Sequence, residues 1–108
     1  MAGSDLFTGT LDILILKALT WGPRHGYAVA RWIRETTDQT ILVEDRALYV
    51  ALHRLEDRKL ITAEWGLSEN NRKARYYRIS RAGRAALTTK AADWTTYADA
   101  VAKVLKAT

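Results

Sequence analysis

The sequence contains no cysteine, and this absence excludes several classes of protein. Without cysteine the chain has no disulfide framework and no zinc site built on thiolates. The two histidines, His25 and His53, are separated in sequence, and a metal site needs three or four ligands at compatible spacing. We therefore predict no metal and no cofactor. A chain without cysteine suits the reducing cytoplasm, where we expect this protein to work.

The sequence also lacks a hydrophobic run long enough to cross a membrane. The apolar stretch Leu11–Leu19 is interrupted by Asp12 and Lys17. It is far shorter than the ~20 residues that a membrane-spanning helix needs, and no basic leader precedes it. We expect no membrane partner.

Motifs typical of enzymes are missing as well. The sequence has no phosphate-binding glycine loop and no nucleophile elbow. The acidic pairs Glu44-Asp45 and Glu56-Asp57 are adjacent in sequence, so on a helix their side chains diverge instead of meeting at one substrate. We therefore predict no catalytic residue and no enzymatic activity.

Acidic residues are absent from residues 70–92, although the whole chain has 12 of them. This segment carries seven basic residues, while the formal net charge of the chain is only +5, so the remainder is slightly acidic. The basic residues are Arg72, Lys73, Arg75, Arg78, Arg81, Arg84 and Lys90. A basic stripe on such a chain is typical of a protein that binds a polyanion, and a solvated charged surface is the alternative.

The stripe follows a segment that has the periodicity of an amphipathic helix, called here the reading helix. Over Glu44–Lys59, four apolar residues recur at helical spacing and define a buried face: Leu48, Ala51, Leu52 and Leu55. The other face carries Arg46, Tyr49, Val50, His53 and Asp57. Glu44 and Asp45 stand at the start of the helix, where we expect them to cap it and to offset its dipole.

A hairpin follows this helix. Ile61, Ala63 and Trp65 alternate with polar residues, which is the period of a half-buried strand. Gly66 and the polar run 68–71 supply a turn, and Arg75–Ser80 predicts the returning strand. A helix followed by a basic hairpin is the plan of a winged helix-turn-helix protein that reads DNA.

Two helices precede the reading helix. The first covers Leu11–Leu19, with Thr8 and Thr10 as candidate N-caps and Asp12 near the positive end of the dipole. The helix is apolar nearly all round, so we expect part of it, including Leu11 and Leu14, to meet another chain. The second helix begins at His25-Gly26-Tyr27 and runs to about Thr36. It has Tyr27, Ala30 and Ile33 on one side and leaves Arg31, Arg34 and Glu35 to the solvent.

A long helix over Arg81–Lys106, capped by Ser80, closes the chain. Apolar residues follow it at heptad spacing: Leu87, Ala91, Trp94, Ala98, Val101 and Leu105. At ~1.5 Å per residue the helix is ~39 Å long, so we expect the seam to pair with a second copy of the chain. The alternative is a helix folded back onto its own core. Trp94 stands among alanines, where a ring either interdigitates in the dimer or stacks on a planar ligand.

These elements predict one fold class, mainly α (α+β): a winged helix-turn-helix with a two-stranded wing and a long C-terminal dimerisation helix. We assign residues 1–80 to the DNA-binding domain and residues 81–108 to the dimerisation helix, as one continuous structural unit. No internal repeat, low-complexity tract or Pro/Gly/Ser linker divides the 108 residues.

Three segments resemble the PadR family of bacterial transcriptional regulators, and most closely its short-chain branch with a single C-terminal helix. They are GTLDILILKALTWGPRHGYAVARWI at 9–33, ALYVALHRLEDRKLITAEWG at 47–66 and ENNRKARYYRISRAGR at 69–84. The resemblance implies a winged-helix dimer that binds operator DNA, usually as a repressor. It also implies that the C-terminal helix packs on the partner subunit and on its N-terminal helix.

The resemblance extends to single residues. Tyr49 matches the tyrosine of the family's recognition helix, and Asn71, Arg72 and Lys73 match its wing. Two residues depart from the family pattern, because Val50 stands where proline is usual and Arg46 where glycine or serine is usual. Some relatives sense phenolic acids or planar drugs at the dimer interface, and Trp94 resembles the aromatic residue used there.

We therefore expect a homodimeric repressor of double-stranded operator DNA. Arg46, Tyr49, Val50 and His53 would face the bases, and Asn71, Arg72, Lys73 and Arg75 would hold the backbone from the wing. A small hydrophobic or aromatic effector at Trp94 would relieve repression. One alternative is a winged-helix module that presents its basic hairpin to an acidic protein, and another is a promiscuous small-molecule sink.

Overall fold

A computed structural model describes the backbone of residues 3–108 and the side chains from residue 9 onward. In that range, four helices and three strands follow one another along the chain. They are α1 (Gly3–Ala18), β1 (Arg24–His25), α2 (Gly26–Thr36), α3 (Asp45–Asp57), β2 (Ile61–Leu67), β3 (Lys73–Ile79) and α4 (Arg81–Lys106). The prediction of a mainly α fold with a β wing and a long C-terminal helix is confirmed.

The sheet is antiparallel, with the strand order β1-β3-β2. Strands β2 and β3 form the expected hairpin, whose register runs from Ile61 opposite Ile79 to Leu67 opposite Lys73. The sequence predicted only these two strands. β1 adds a third, with Arg24 opposite Tyr77 and His25 opposite Tyr76. A strand of two residues is too short to show a period of two, so no sequence pattern announces it.

The core lies where α1, α2, α3 and the base of the hairpin meet. The four apolar residues predicted for the buried face of α3 are all buried, which confirms that periodicity. The buried residues of α2 are Gly26, Val29 and Ile33, whereas Tyr27 is 63% exposed. The placement of Tyr27 beside Ile33 was therefore wrong. Tyr27 stands in the first turn of α2, at the edge of the core.

Helix α1 begins earlier than the sequence predicted. Because it starts at Gly3, both threonine positions lie within the helix, and the expectation that they cap it was wrong. The side chain of Thr8 lies outside the described side chains. Asp12 therefore stands in the middle of α1, where it is only 3% exposed. It offsets no helix dipole; instead it pairs with Arg54 of α3.

Helix α4 begins at the cap that the sequence predicted. The Ser80 hydroxyl accepts a hydrogen bond from the Gly83 amide at 3.0 Å and lies 2.9 Å from the carbonyl oxygen of Leu60. The helix then runs antiparallel to α1. Arg84 donates to the carbonyl of Thr20 at one end of the contact, and Trp94 Nε1 donates to the Thr10 hydroxyl at the other end, at 3.0 Å. Beyond Trp94 most side chains of the helix are exposed.

No helix within residues 3–108 combines the length and the apolar character needed to cross a lipid bilayer.

Candidate nucleic-acid interface

The outward face of α3 carries the four residues that the sequence predicted to face bases. Arg46 and His53 are exposed, Tyr49 is 53% exposed and Val50 is 56% exposed. With Arg54, Asp57 and Arg58 they line a shallow groove along the helix, called here the reading groove. A helix with its side chains is ~10–12 Å across, which fits the ~12 Å major groove of B-DNA. The arginine and histidine side chains offer hydrogen-bond donors, and valine offers an apolar surface. Proteins read base edges in the major groove through these two kinds of contact.

A buried ion pair fixes α3 against α1. Arg54 Nη2 donates to Asp12 Oδ1, and the two side chains are 25% and 4% exposed. The Nε atom of the same guanidinium is buried and has no hydrogen-bond acceptor among the described residues. A buried ion pair of this kind fixes geometry, because moving either partner leaves a charge uncompensated. The pair was not predicted from the sequence, although an aspartate within the apolar stretch Leu11–Leu19 was the available signal.

The start of α3 differs in one respect from the expectation. Glu44 occupies the N-cap position with an extended backbone, but its side chain makes no capping hydrogen bond. Its predicted capping role was therefore wrong. Asp45 stands in the first turn, where its carboxylate complements the positive end of the helix dipole.

The tip of the wing is a hydrogen-bonded turn over residues 68–72, called here the wing turn. The Ser68 amide donates to the Arg72 carbonyl at 2.8 Å, and the Asn71 amide donates to the Ser68 carbonyl at 2.9 Å. Asn71 adopts a φ of 60°, a left-handed conformation that asparagine tolerates. Asn71, Arg72 and Lys73 are all exposed, and Lys73 Nζ lies 4.9 Å from the centre of the Trp65 ring. Hydrogen bonds within the turn therefore hold the backbone that carries these side chains.

Arg75 is placed differently from the other predicted wing residues. Its Nη2 donates to Glu56 Oε2 of α3 at 2.8 Å, with side-chain exposures of 37% and 28%. Arg75 was predicted to hold the DNA backbone from the wing together with Asn71, Arg72 and Lys73. In the structure a carboxylate of the same chain pairs with its guanidinium, and its contact with DNA stays a prediction. The ion pair joins the wing to the helix that carries the reading groove.

Next to this ion pair the hairpin meets the core at Tyr77, which is 4% exposed. Burial raises the pKa of the Tyr77 phenol above its ordinary value of 10.0, and the nearby Arg75 guanidinium partly offsets the effect.

Tyr49 of α3 lies against the N-terminus of α2. A Cβ atom added at Gly26 would lie only 3.3 Å from the Tyr49 hydroxyl oxygen, so glycine permits this close packing.

Trp65 shows where the hairpin leaves the core. The register pairs it with Arg75 on the same sheet face as Ile61 and Ile79, as the alternation predicted. It is nevertheless 62% exposed, and Leu67 is 67% exposed. The predicted alternation therefore holds, but the Trp65 ring is exposed because the outer half of the wing projects beyond the core.

The residues predicted for the dimer seam divide into two groups. Leu11 is only 5% exposed and belongs to the core of its own chain, and Leu14 and Leu87 pack against that core. On α4, Trp94 is 42%, Val101 39% and Leu105 78% exposed, whereas Ala91 and Ala98 are half-buried. Tyr97 and Val104, 44% and 73% exposed, flank the same side of the helix. Tyr97 and Val104 were not predicted as part of this surface, because they lie beside the heptad positions.

Among the described residues, no group of three or more histidine, aspartate or glutamate side chains is placed to hold a metal ion.

Comparison with known proteins assigns the family. Residues 15–89 match the transcriptional regulator PadR-like family. A solved transcriptional regulator from Clostridium thermocellum is 30% identical, with a TM-score of 0.84 over 94% of this chain and 99% of that one. A PadR family transcriptional regulator from Eggerthella lenta is 31% identical, with a TM-score of 0.76 over 97% and 89% of the two chains. An uncharacterised protein of Lysinibacillus sphaericus is 32% identical over 94 residues, 87% of this chain and 86% of the relative. The chain therefore belongs to the PadR-like family of transcriptional regulators.

Proposed function

We propose that this regulator is a homodimeric repressor that binds a specific DNA operator. The observation that carries the proposal is the reading groove on α3, whose Arg46, Tyr49, Val50 and His53 are exposed together beside a basic wing. Arg46 is suited to pair with guanine, and Val50 is suited to contact a thymine methyl group. Arg72 and Lys73 supply backbone contacts that set the register without reading sequence.

The exposed apolar surface of α4 supports the homodimer. The second half of the helix leaves an apolar side exposed, which consists of Trp94, Tyr97, Val101, Val104 and Leu105. A two-fold pair of such helices would cover both copies of this surface. It would also present two α3 helices to major-groove segments about 34 Å apart on one face of the duplex.

The same surface supports a role for an effector. Trp94 is partly exposed between the small residues Ala91 and Ala98, so a planar aromatic molecule has a ring on which to stack. A molecule that prefers a different spacing of the two reading helices would lower the affinity for the operator by its differential affinity for the two arrangements.

The experiment that tests the function is fluorescence anisotropy of the purified protein on its own upstream DNA and on a scrambled duplex, each across a salt series. We expect a preference of about 10³ or more for the upstream duplex. Equal and steeply salt-dependent binding to both duplexes would contradict a specific operator in the upstream DNA. Binding to neither would favour a module that presents its basic hairpin to an acidic protein.

The wing is tested by replacing Arg72 and Lys73 together with alanine. Each lost phosphate contact should lower the slope of log affinity against log salt by about 0.9, and the affinity should fall on both duplexes alike. The matched control replaces Lys103 and Lys106 with alanine, which removes the same charge from the far end of α4. If the two double variants have the same slope as the wild type, the wing makes no phosphate contact.

A further inference from the structure

An open cleft of about 570 Å³ separates α2 from the wing turn. Its lining comes from two stretches that are far apart in sequence, residues 25–31 and residues 68–74. The lining residues are His25, Tyr27, Arg31, Ser68, Glu69, Asn70, Arg72 and Ala74. The base and backbone contacts proposed above use only Arg72 from this set, so the α2 wall has no assigned role.

The cleft is rich in hydrogen-bond donors. Arg31 lines it from α2 and Arg72 from the wing, and Glu69 is the only carboxylate in the lining. Neither arginine has an ion-pair partner among the side chains that the structure describes. The guanidinium of Arg31 lies 6.0 Å from the centre of the Tyr27 ring, a contact that restrains it and leaves its N–H groups available. Two unpaired guanidinium groups on facing walls suit an anion with several oxygens, such as a phosphodiester.

The cleft adjoins the reading groove. Gly26 stands between the cleft residues His25 and Tyr27, and the ring of Tyr49, which lines the reading groove, packs against Gly26. A duplex whose major groove receives α3 therefore has the strand beside that groove passing over the N-terminal half of α2. In helix-turn-helix proteins, the helix before the reading helix crosses the DNA backbone in the same way.

We propose that the cleft binds one backbone phosphate of the operator between Arg31 of α2 and Arg72 of the wing, with the exposed Tyr27 hydroxyl as a further donor. The inference rests on the proposed DNA binding and adds to it a contact from the α2 side. Because the contact is to a phosphate, it fixes the register of the protein on DNA and carries no sequence preference.

The first test compares Arg31→Gln with Arg34→Gln, which removes the same charge from the same helix outside the cleft. At constant salt, Arg31→Gln should bind roughly tenfold more weakly than the wild type, on upstream and scrambled duplexes alike. Its salt slope should fall by at most about 0.9, because Arg72 remains beside the same phosphate, while Arg34→Gln keeps the wild-type slope. Circular dichroism of both variants verifies that α2 remains folded.

The second test asks whether Arg31 and Arg72 share a phosphate. Upstream duplexes are made with one neutral methylphosphonate at a time. The linkage whose neutralisation weakens binding by the wild type more than binding by Arg31→Gln identifies the phosphate held by Arg31. The same linkage should also have a reduced effect on Arg72→Gln, because only one arginine then remains on that phosphate. The double variant should lose less affinity than the product of the two single fold-losses, because the two residues act on one group.

Three results would overturn the inference. If the wild type binds the upstream duplex and Arg31→Gln behaves like Arg34→Gln, the cleft holds no phosphate and the proposed function stands. If Arg31→Gln loses only the preference for the upstream duplex, Arg31 contacts a base. If the wild type binds no duplex, the proposed function fails, and the inference fails with it.

Discussion

Gly83 is a residue at which a single methyl group has a large steric consequence. A Cβ atom at this position would lie 2.1 Å from the carbonyl oxygen of Leu60 and 2.8 Å from Cγ1 of Ile79. The obstructing oxygen belongs to the backbone and cannot rotate away. We expect Gly83→Ala to lower the free energy of unfolding by about 3 kcal/mol, measured by chemical denaturation.

The chain offers a matched control for this substitution at Gly9. Gly9 is also in a helix, but among the residues that the structure describes no heavy atom lies within 4 Å of the position of its added Cβ. Gly9→Ala should therefore stabilise the protein by up to about 1 kcal/mol, through helix propensity alone. Equal effects of the two substitutions would mean that α4 does not pack tightly on Leu60.

Tyr77 makes stability depend on pH in the alkaline range. Its pKa is raised in the folded protein, chiefly by burial, so its phenol stabilises the fold fully below the unfolded pKa of 10.0. That contribution is lost as the pH rises through the higher pKa of the folded state. We expect the free energy of unfolding of the wild type to fall more steeply above pH ~10 than that of Tyr77→Phe. Parallel curves for the two proteins would show that the Tyr77 phenol ionises with equal ease in both states.

Individual residues also show how far the sequence could be read. The exposed positions of α3 followed from periodicity, because that helix has one buried face and one exposed face. Asp12 and Tyr27 were placed wrongly, and the exposure of Trp65 was not predicted. Asp12 has its partner 42 residues away, and the other two side chains lie where the core ends. The periodicity of a short segment cannot predict a partner that is distant in sequence, nor can it predict where the core ends.

At the scale of the elements, α3, the hairpin and α4 could be predicted nearly to the residue. Each has a capping residue, a turn signal or a sustained period. The first residue of α1 and the strand β1 could not, because the former precedes the apolar run and the latter forms only by pairing with β3. Similarly, the ion pairs that join elements, Asp12 with Arg54 and Glu56 with Arg75, depend on which elements become neighbours.

The Asp12–Arg54 pair is the connection between elements whose loss should cost most. Asp12→Ala leaves a largely buried guanidinium without its counter-charge, so we expect the free energy of unfolding to fall by about 3 kcal/mol. Asp57→Ala removes an exposed carboxylate and serves as the control. The double variant Asp12→Leu/Arg54→Met should regain much of the loss, because it removes both charges and keeps the volume. A double variant no more stable than Asp12→Ala would show that the cost lies elsewhere.

At the scale of the whole molecule, the uncovered half of α4 makes a prediction about assembly. Replacing Val101 and Leu105 together by serine should remove apolar area from the surface that the proposed dimer buries. Sedimentation at graded concentration should then show a dimer dissociation constant at least tenfold higher than that of the wild type. Thr96→Ser, on the opposite side of α4, should leave association unchanged. Equal association of all three proteins would exclude this surface as the dimer interface.

Two polar contacts of α1 have a consequence for how effector binding and operator binding affect each other. Thr10 accepts a hydrogen bond from Trp94 of α4, and two residues later Asp12 pairs with Arg54 of α3. One short stretch of α1 therefore contacts both the surface proposed to bind an effector and the helix proposed to read DNA. Coupling between two binding sites is reciprocal. If an effector at Trp94 lowers the affinity for the operator by some factor, the operator lowers the affinity for the effector by the same factor. A promoter fragment should then displace a molecule bound at Trp94. The apparent affinity of the protein for that molecule would report the occupancy of the operator.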